Sequence, residues 1–386
     1  MDTFDLPAEG ILPLQWLRKA VDNRLITSFM TIPDSSFQPA SLDLRLGEKA
    51  YRLRCSFLPG PQNVEDRLEE YSMGVLDLRD GAILERNRPY LIPLLEELDL
   101  PPNLRAKANP RSSTGRVDVF TRVITDKGFT FDDIRPGYKG QLYLEVVSRS
   151  FTIMVQTRTS LNQLRLIHGH SRCTDQEVRE LHEHTPVLFV DGEPVPAADV
   201  TVSDGLFLSL DLTGDASGTV GWRAKKNSKL LDLREEYAHA IVDFWEPVKM
   251  ERGDRAVLEP EEFYLLLSEE AVRIPPGYAA EMAAYDPTSG ELRTHYAGFF
   301  DPGFGHSATG DSRGSKAALE VRAHDVPFMV EDRQRVCKLA FERMVEPPSV
   351  VYGAEMGSAY QGQRATLSRH FIREGDAEPT PRHSAG

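Results

Sequence analysis

Basic charge is what this chain is short of. Its 386 residues hold 45 Lys and Arg against 59 Asp and Glu, a formal net charge of −14. Sequence-independent binding to polymeric nucleic acid or to an anionic membrane needs a basic face. Both partner classes are therefore excluded, while a small local pocket for a phosphorylated metabolite is not. Cysteine is scarce as well. Cys55, Cys173 and Cys337 are widely spaced and odd in number, which excludes a disulfide framework and points to a reduced, cytoplasmic setting. No apolar run approaches the roughly 20 residues needed to span a bilayer. The opening MDTFDLPAEG has no basic stretch leading into an apolar core, so no secretory signal is read there.

What is present is repetition. "AILERNRPYLIPLLEELDLPP" recurs as "AVLEPEEFYLLLSEEAVRIPP", matching Leu84 with Leu258, Tyr90 with Tyr264 and Pro101-Pro102 with Pro275-Pro276. "YLEVVSRSFTIMV" recurs as "ALEVRAHDVPFMV", setting Glu145 on Glu320, and "ASLDLRLG" echoes in "LSLDLTGD", setting Asp43 on Asp211. The pattern predicts two tandem units of one fold: residues 1–167, a helical connection over 168–186, a second unit over 187–370 and a flexible tail over 371–386. Short, evenly spaced apolar or alternating strands make each unit mainly β, in the manner of a barrel or a double-sheet jelly roll. Pro93 marks an edge or a bulge. Helices are few. Pro13 opens one with Leu14, Leu17, Val21 and Leu25 on a single face. Thr174 opens another, with Glu177 in capping-box position. "KLLDLREEYAHAIVDF" predicts a third.

Two features carry candidate chemistry. "NPRSSTGR" places Arg111 and Arg116 around Ser112 and Ser113, and guanidinium and hydroxyl donors of that kind suit an oxyanion. Glu145 interrupts the apolar strand "QLYLEVVS"; buried, it needs a partner such as Arg116. In the second unit "DPTSGELR" aligns with "NPRSSTGR". Ser112 falls on Ser289 and Arg116 on Arg293, while Arg111 and Ser113 have no counterpart. A Ser, an Arg and a Glu thus recur in both units.

"QPASLDLRLG", "RSSTGR", "RPGYKGQLYLEV" and "LNQLRL", in this order, resemble dCTP deaminase of the dUTPase-like superfamily, as do "FFDPGF" in the second unit and the late "YQGQRATLSR". The resemblance covers residues 10–166 directly and reaches about residue 369 through the second unit. It implies two tandem distorted jelly-roll β-barrels. The implied assembly is trimeric or pseudo-trimeric, with sites between barrels. The implied reaction converts dCTP and water to dUTP and ammonia, in dUMP and dTTP precursor supply. Magnesium arrives on the triphosphate, no protein side chain is expected to bind it, and no zinc is expected. Carried over by motif, Glu145 is the general base, with Ser112 and Arg116 holding the water. Arg111, Ser113, Tyr143, Tyr352, Tyr360 and Gln363 meet the substrate. Ser289, Arg293, Asp301 and Glu320 are the second-unit counterparts.

Departures from the pattern matter. Arg135 stands before Pro136-Gly137 where the family has Asp, which the second unit keeps as Asp301, and Ala359 replaces a Lys. One full site could therefore draw on both units, the second completing it with its tail, or the second unit could be a degenerate, structural partner. The zinc-dependent cytosine deaminase signature, His-x-Glu followed by Pro-Cys-x-x-Cys, is absent. His168, His170, Cys173, His182 and His184 could bind zinc but read as a polar connection. "GFGHSATG", residues 303–310, is similar to a dUTPase phosphate loop in the wrong place and reads as an insertion. A dUTPase, a bifunctional deaminase–dUTPase and a non-catalytic nucleotide sensor are the alternative functions.

Overall fold

A computed structural model describes residues 4–215, 217–251, 253–284, 292–294, 298–306, 313–323, 325–353 and 366–372. It is mainly β, with 44% strand and 11% helix. In the first half the elements used below are α1 (Leu14–Asp22), β1 (Leu42–Arg45), α2 (Val64–Tyr71), β2 (Tyr90–Asp99), β3 (Leu104–Pro110), α3 (Ser112–Gly115), β4 (Val119–Thr125), β5 (Lys139–Ser148) and β6 (Ser160–His168). In the second they are α4 (Asp175–His184), β7 (Leu206–Asp211), β8 (Phe263–Val272), β9 (Tyr278–Ala284), β10 (Leu292–Thr294), β11 (Phe299–Phe300), β12 (Ser315–Ala323) and β13 (Arg335–Arg343).

The halves pair alike. β5 runs antiparallel between β2 and β4, and β12 between β8 and β10. β6 lies between β3 and β1, and β13 between β9 and β7. Residues that align in sequence therefore lie on corresponding strands. Pro93 sits where β2 and β5 shift register, opposite Tyr143. Lacking an N–H, proline leaves a gap in the ladder, and a bulge accommodates it.

The third expected helix does not form. Leu231–Asp232 pairs in parallel with Ile153–Met154, and only a short 3-10 turn, Ile241–Asp243, follows. Burial of Leu231, Leu233 and Phe244 in the first half's core outweighs helical propensity. Trp245 and Phe263 join the same core, and the Phe151 and Trp245 rings meet edge-on at 5.4 Å. Apolar burial thus ties the halves together, along with ion pairs that cross between them: Arg322 with Asp118, and Arg165 with Asp301.

Period-2 alternation aims the two matching glutamates. On β5, Leu142, Leu144 and Val146 enter the main core, so Tyr143 and Glu145 take the opposite face. On β12, Ala317, Leu319 and Val321 enter the second core, so Ala318, Glu320 and Arg322 take the opposite face. What covers each face differs. Helix α2 lays Val64 and Leu68 over the β5 face, in a cluster with Tyr143, Leu91 and Ile124. The β12 face meets the first half, where Arg322 reaches Asp118.

Candidate active site

The α3 turn sits between two pockets. Ser112 and Arg116 line the first, a small one of about 60 Å³. The rest of its wall comes from the second half, including Phe299, Phe300, Asp301, Phe304, Glu320 and Tyr352. Glu320 is 8% exposed, and its Oε2 is buried with no hydrogen-bond partner among the described residues. Burial pushes the Glu320 carboxyl well above the usual carboxylate range. The Arg116 guanidinium opposes that rise and the Asp118 carboxylate adds to it. A Cβ on Gly115 would lie 2.5 Å from Glu320 Oε2 and 2.6 Å from Oε1. Glycine is thus the residue that lets the carboxylate lie against the α3 turn.

The remaining wall is built on a tight turn. Phe304 N–H donates to Asp301 O at 3.1 Å, and Gly303 has φ of 96°, the pattern of a Pro-Gly type II turn. Tyr352 N–H donates to Pro302 O at 2.8 Å, and the Tyr352 ring meets Phe304 at 5.9 Å. Phe300 and Phe304 stand edge to face at 5.0 Å. Asp301 carries a carboxyl raised by burial and lowered by Arg165. Gly303 and Phe304 begin "GFGHSATG", so part of that stretch is pocket wall; residues 307–310 lie outside the described residues.

The second pocket, about 300 Å³, opens on the other side of α3. Arg111, Ser113, Arg158, Arg234, Arg369 and His370 are among its lining residues. Three of the arginines are paired: Arg111 with Asp43 at 3.2 Å, Arg234 with Asp232 at 2.6 Å and Arg369 with Glu236 at 3.2 Å. Burial raises the Asp43 carboxyl to about 6 against the pull of Arg111 and Arg369. Burial lowers His370 to about 4, so its ring is neutral at physiological pH. Residues 366–372 strap the turn: Arg116 Nη1 donates to Thr366 O at 3.3 Å, and Ser368 Oγ to Ser113 O at 2.9 Å.

The expected partnership of Glu145 with Ser112 and Arg116 is not what the structure assembles. Glu145 Oε1 accepts from Arg122 Nη2 at 2.5 Å and Nε at 3.1 Å. That guanidinium lies 3.8 Å over the Phe131 ring and 4.5 Å from the Phe120 ring. Tyr143 is also away from both pockets, packed in the apolar cluster under α2, where burial raises its phenol. The physical reason is shared: both side chains point to the face of β5 opposite the main core, where α2 packs on Tyr143 and Arg122 holds Glu145. Arg122 carries no sequence signal that marks it as a partner. Its alternation with Glu145 on neighbouring strands, Glu145 opposite Arg122, is visible only once the register is known.

Asp301, Glu320 and Tyr352 stand in the first pocket. Arg293 is placed by its backbone, opposite Arg322 on β12. Ser289, Tyr360 and Gln363 lie outside the described residues. Three of the connection's four histidines bond their rings to backbone: His168 Nδ1 to Ala8 O, His182 Nε2 to Val195 O and His184 Nδ1 to Glu180 O. Among the described residues no three His, Cys, Asp or Glu side chains converge as a metal site. No helix among them is long and apolar enough to cross a membrane.

Comparison with known proteins matches both halves to one family. The model for the 2'-deoxycytidine 5'-triphosphate deaminase N-terminal domain covers residues 8–170, and that for its C-terminal domain covers 174–371. The chain belongs to the dCTP deaminase family. The crystal structure of 2'-deoxycytidine 5'-triphosphate deaminase from Agrobacterium tumefaciens is 44% identical, with a TM-score of 0.82 over 87% of this chain and 99% of that one. The dCTP deaminase of Halorubrum lacusprofundi is 30% identical over 135 residues, 34% of this chain and 62% of that protein. The "dCTP deaminase, dUMP-forming" of Beutenbergia cavernae is 30% identical over 154 residues, 36% of this chain and 75% of that protein. Family membership agrees with the motif resemblance in both halves.

Proposed function

We propose that the chain hydrolyses dCTP to dUTP and ammonia at the first pocket, with Glu320 as the general base. The observation that carries this is the meeting of Glu320 with Ser112 and Arg116, a carboxylate from one half beside donors from the other. Water enters between Ser112 and Glu320. Glu320 takes its proton as the oxygen attacks C4 of the cytosine ring, and N3 accepts a proton from the protonated Glu320. A second transfer, of the new C4 hydroxyl proton through the same carboxylate to the exocyclic nitrogen, releases ammonia and leaves the C4 carbonyl. The raised Glu320 carboxyl favours the proton's return from the carboxylate to N3 and the leaving amine. Arg116 and Ser112 steady the charge that develops at the water oxygen.

The base lies against Phe300, Phe304 and Tyr352. The triphosphate passes around the α3 turn to Arg111 and Ser113 in the second pocket, whose guanidinium and hydroxyl lining fits phosphate oxygens. Magnesium enters as part of the Mg·dCTP substrate. The tandem arrangement is part of the proposal: each half keeps the fold, and their junction makes the site.

Turnover of dCTP, dUTP and CTP is the test, reading ammonia and pyrophosphate together. Ammonia without pyrophosphate supports a deaminase. Both products from dCTP indicate the dUMP-forming activity that the Beutenbergia relative's name describes. Glu320→Gln is expected to remove ammonia release by about 10²–10⁴-fold, with Glu145→Gln close to wild type. The reverse ranking of the two variants defeats the assignment.

A further inference from the structure

We infer that Arg165, on β6 of the first half, is a positioning residue for the base-binding wall of the second half. This rests on the first pocket being the nucleotide site. Arg165 is fully buried. Its Nη1 donates to Ala280 O at 3.1 Å, and its Nη2 to Phe300 O at 3.0 Å and to Asp301 Oδ1 at 3.2 Å. Its guanidinium lies 3.9 Å from the centre of the Phe299 ring. Nη1 is also 3.5 Å from Glu342 Oε2.

Three of these groups belong to pocket-lining residues: Phe299, Phe300 and Asp301. The two carbonyls it holds belong to Ala280 and Phe300, which face each other across the β9–β11 pair. One planar fork therefore spans a two-strand ladder and the first residue of the Asp301–Phe304 turn. An ammonium group cannot reproduce that geometry, because it is a point donor on a flexible stem. The next register position carries a parallel tie, Lys107 Nζ to Glu281. The wall of the second half is thus set from the first half, through a residue outside both pockets.

A buried guanidinium between two carboxylates also contributes to folding, so the test separates positioning from bulk stability. Arg165→Lys keeps the charge and loses the fork; Arg165→Met removes both. For Arg165→Lys the KM for dCTP is expected to rise at least about threefold with kcat nearly unchanged, the signature of lost binding shared by ground and transition states. Backbone amides of Phe299, Phe300 and Asp301 are expected to exchange hydrogen at least about tenfold faster, while those of β12 stay protected. Arg165→Met should exceed both effects; if it does not fold, Arg165→Lys decides. An unchanged KM together with unchanged exchange in folded Arg165→Lys overturns the inference. Wild-type protein that releases no ammonia from dCTP defeats the functional reading instead. The exchange measurement, which needs no substrate, still judges Arg165.

Discussion

Glu145 and Glu320 occupy matching places on matching strands and are both buried, yet only Glu320 faces a pocket with Ser112 and Arg116. The consequence is a sign that can be measured. Glu320 holds its proton more tightly folded than unfolded, so between the two pKa values the native state binds more protons. Stability then falls as pH rises through that window. Glu320→Gln should therefore match wild type in Tm at acid pH and exceed it increasingly as pH rises. The base form of Glu320 is lost as pH falls through its raised pKa, so the acid limb of kcat/KM should lie well above the roughly 4.3 of an ordinary Glu. Arg116→Gln removes the group that opposes the rise and should move that limb higher still. A limb at the ordinary carboxylate value argues against Glu320 as the base. Gly115→Ala tests the same contact from the other side. A methyl 2.5 Å from Glu320 Oε2 must displace the carboxylate, and a shift of about 1 Å costs up to about 10²-fold in rate. Loss of kcat with a near-normal Tm is the expected result, and an unaffected kcat would place the working carboxylate elsewhere.

At the scale of elements, legibility followed length and repetition. The strands were readable because both halves repeat them, and so were α1 and the Thr174 cap. In α4 the Thr174 N–H donates to Glu177 Oε2 at 2.7 Å, and Glu177 N–H donates back to Thr174 Oγ1 at 3.3 Å. Replacing this cap, Thr174→Ala, should cost about 1 kcal/mol and leave kcat unaltered, since α4 lines neither pocket; chemical denaturation beside turnover checks both. Helix α2 was not readable with the same ease, being barely two turns long. Its signals were present: Asn63 with Asp66 in capping-box position, then Val64, Leu68 and Tyr71 at helical spacing. Missing it hid the difference between the two Leu-Glu-Val segments, because sequence shows that both glutamates share a strand pattern and not what covers them. The absent third helix errs the other way. Its periodicity was real, but pairing with Ile153–Met154 and burial of Leu231 and Leu233 used the same residues otherwise.

For the whole molecule, the proposed division of labour between halves predicts how many substrates one chain can hold. Ser112 and Arg116 come from the first half and Glu320, Asp301 and Tyr352 from the second, so one junction makes one complete set. The other glutamate is already occupied. Arg122 bonds Glu145 twice, stacks on Phe131, and lies beneath the layer that α2 builds with Tyr143 and Leu91. Opening that position would require breaking an ion pair whose carboxylate is fully buried and peeling away an apolar cluster besides. Titration of Glu320→Gln protein with Mg·dCTP, which binds without being consumed, should therefore saturate at one nucleotide per chain. Glu145→Gln in the same background should not change that number, because Glu145 contributes no open site. Two nucleotides per chain, falling to one on Glu145→Gln, would show that an assembly of chains opens the first half's position as well, and the single-junction account would fall with it.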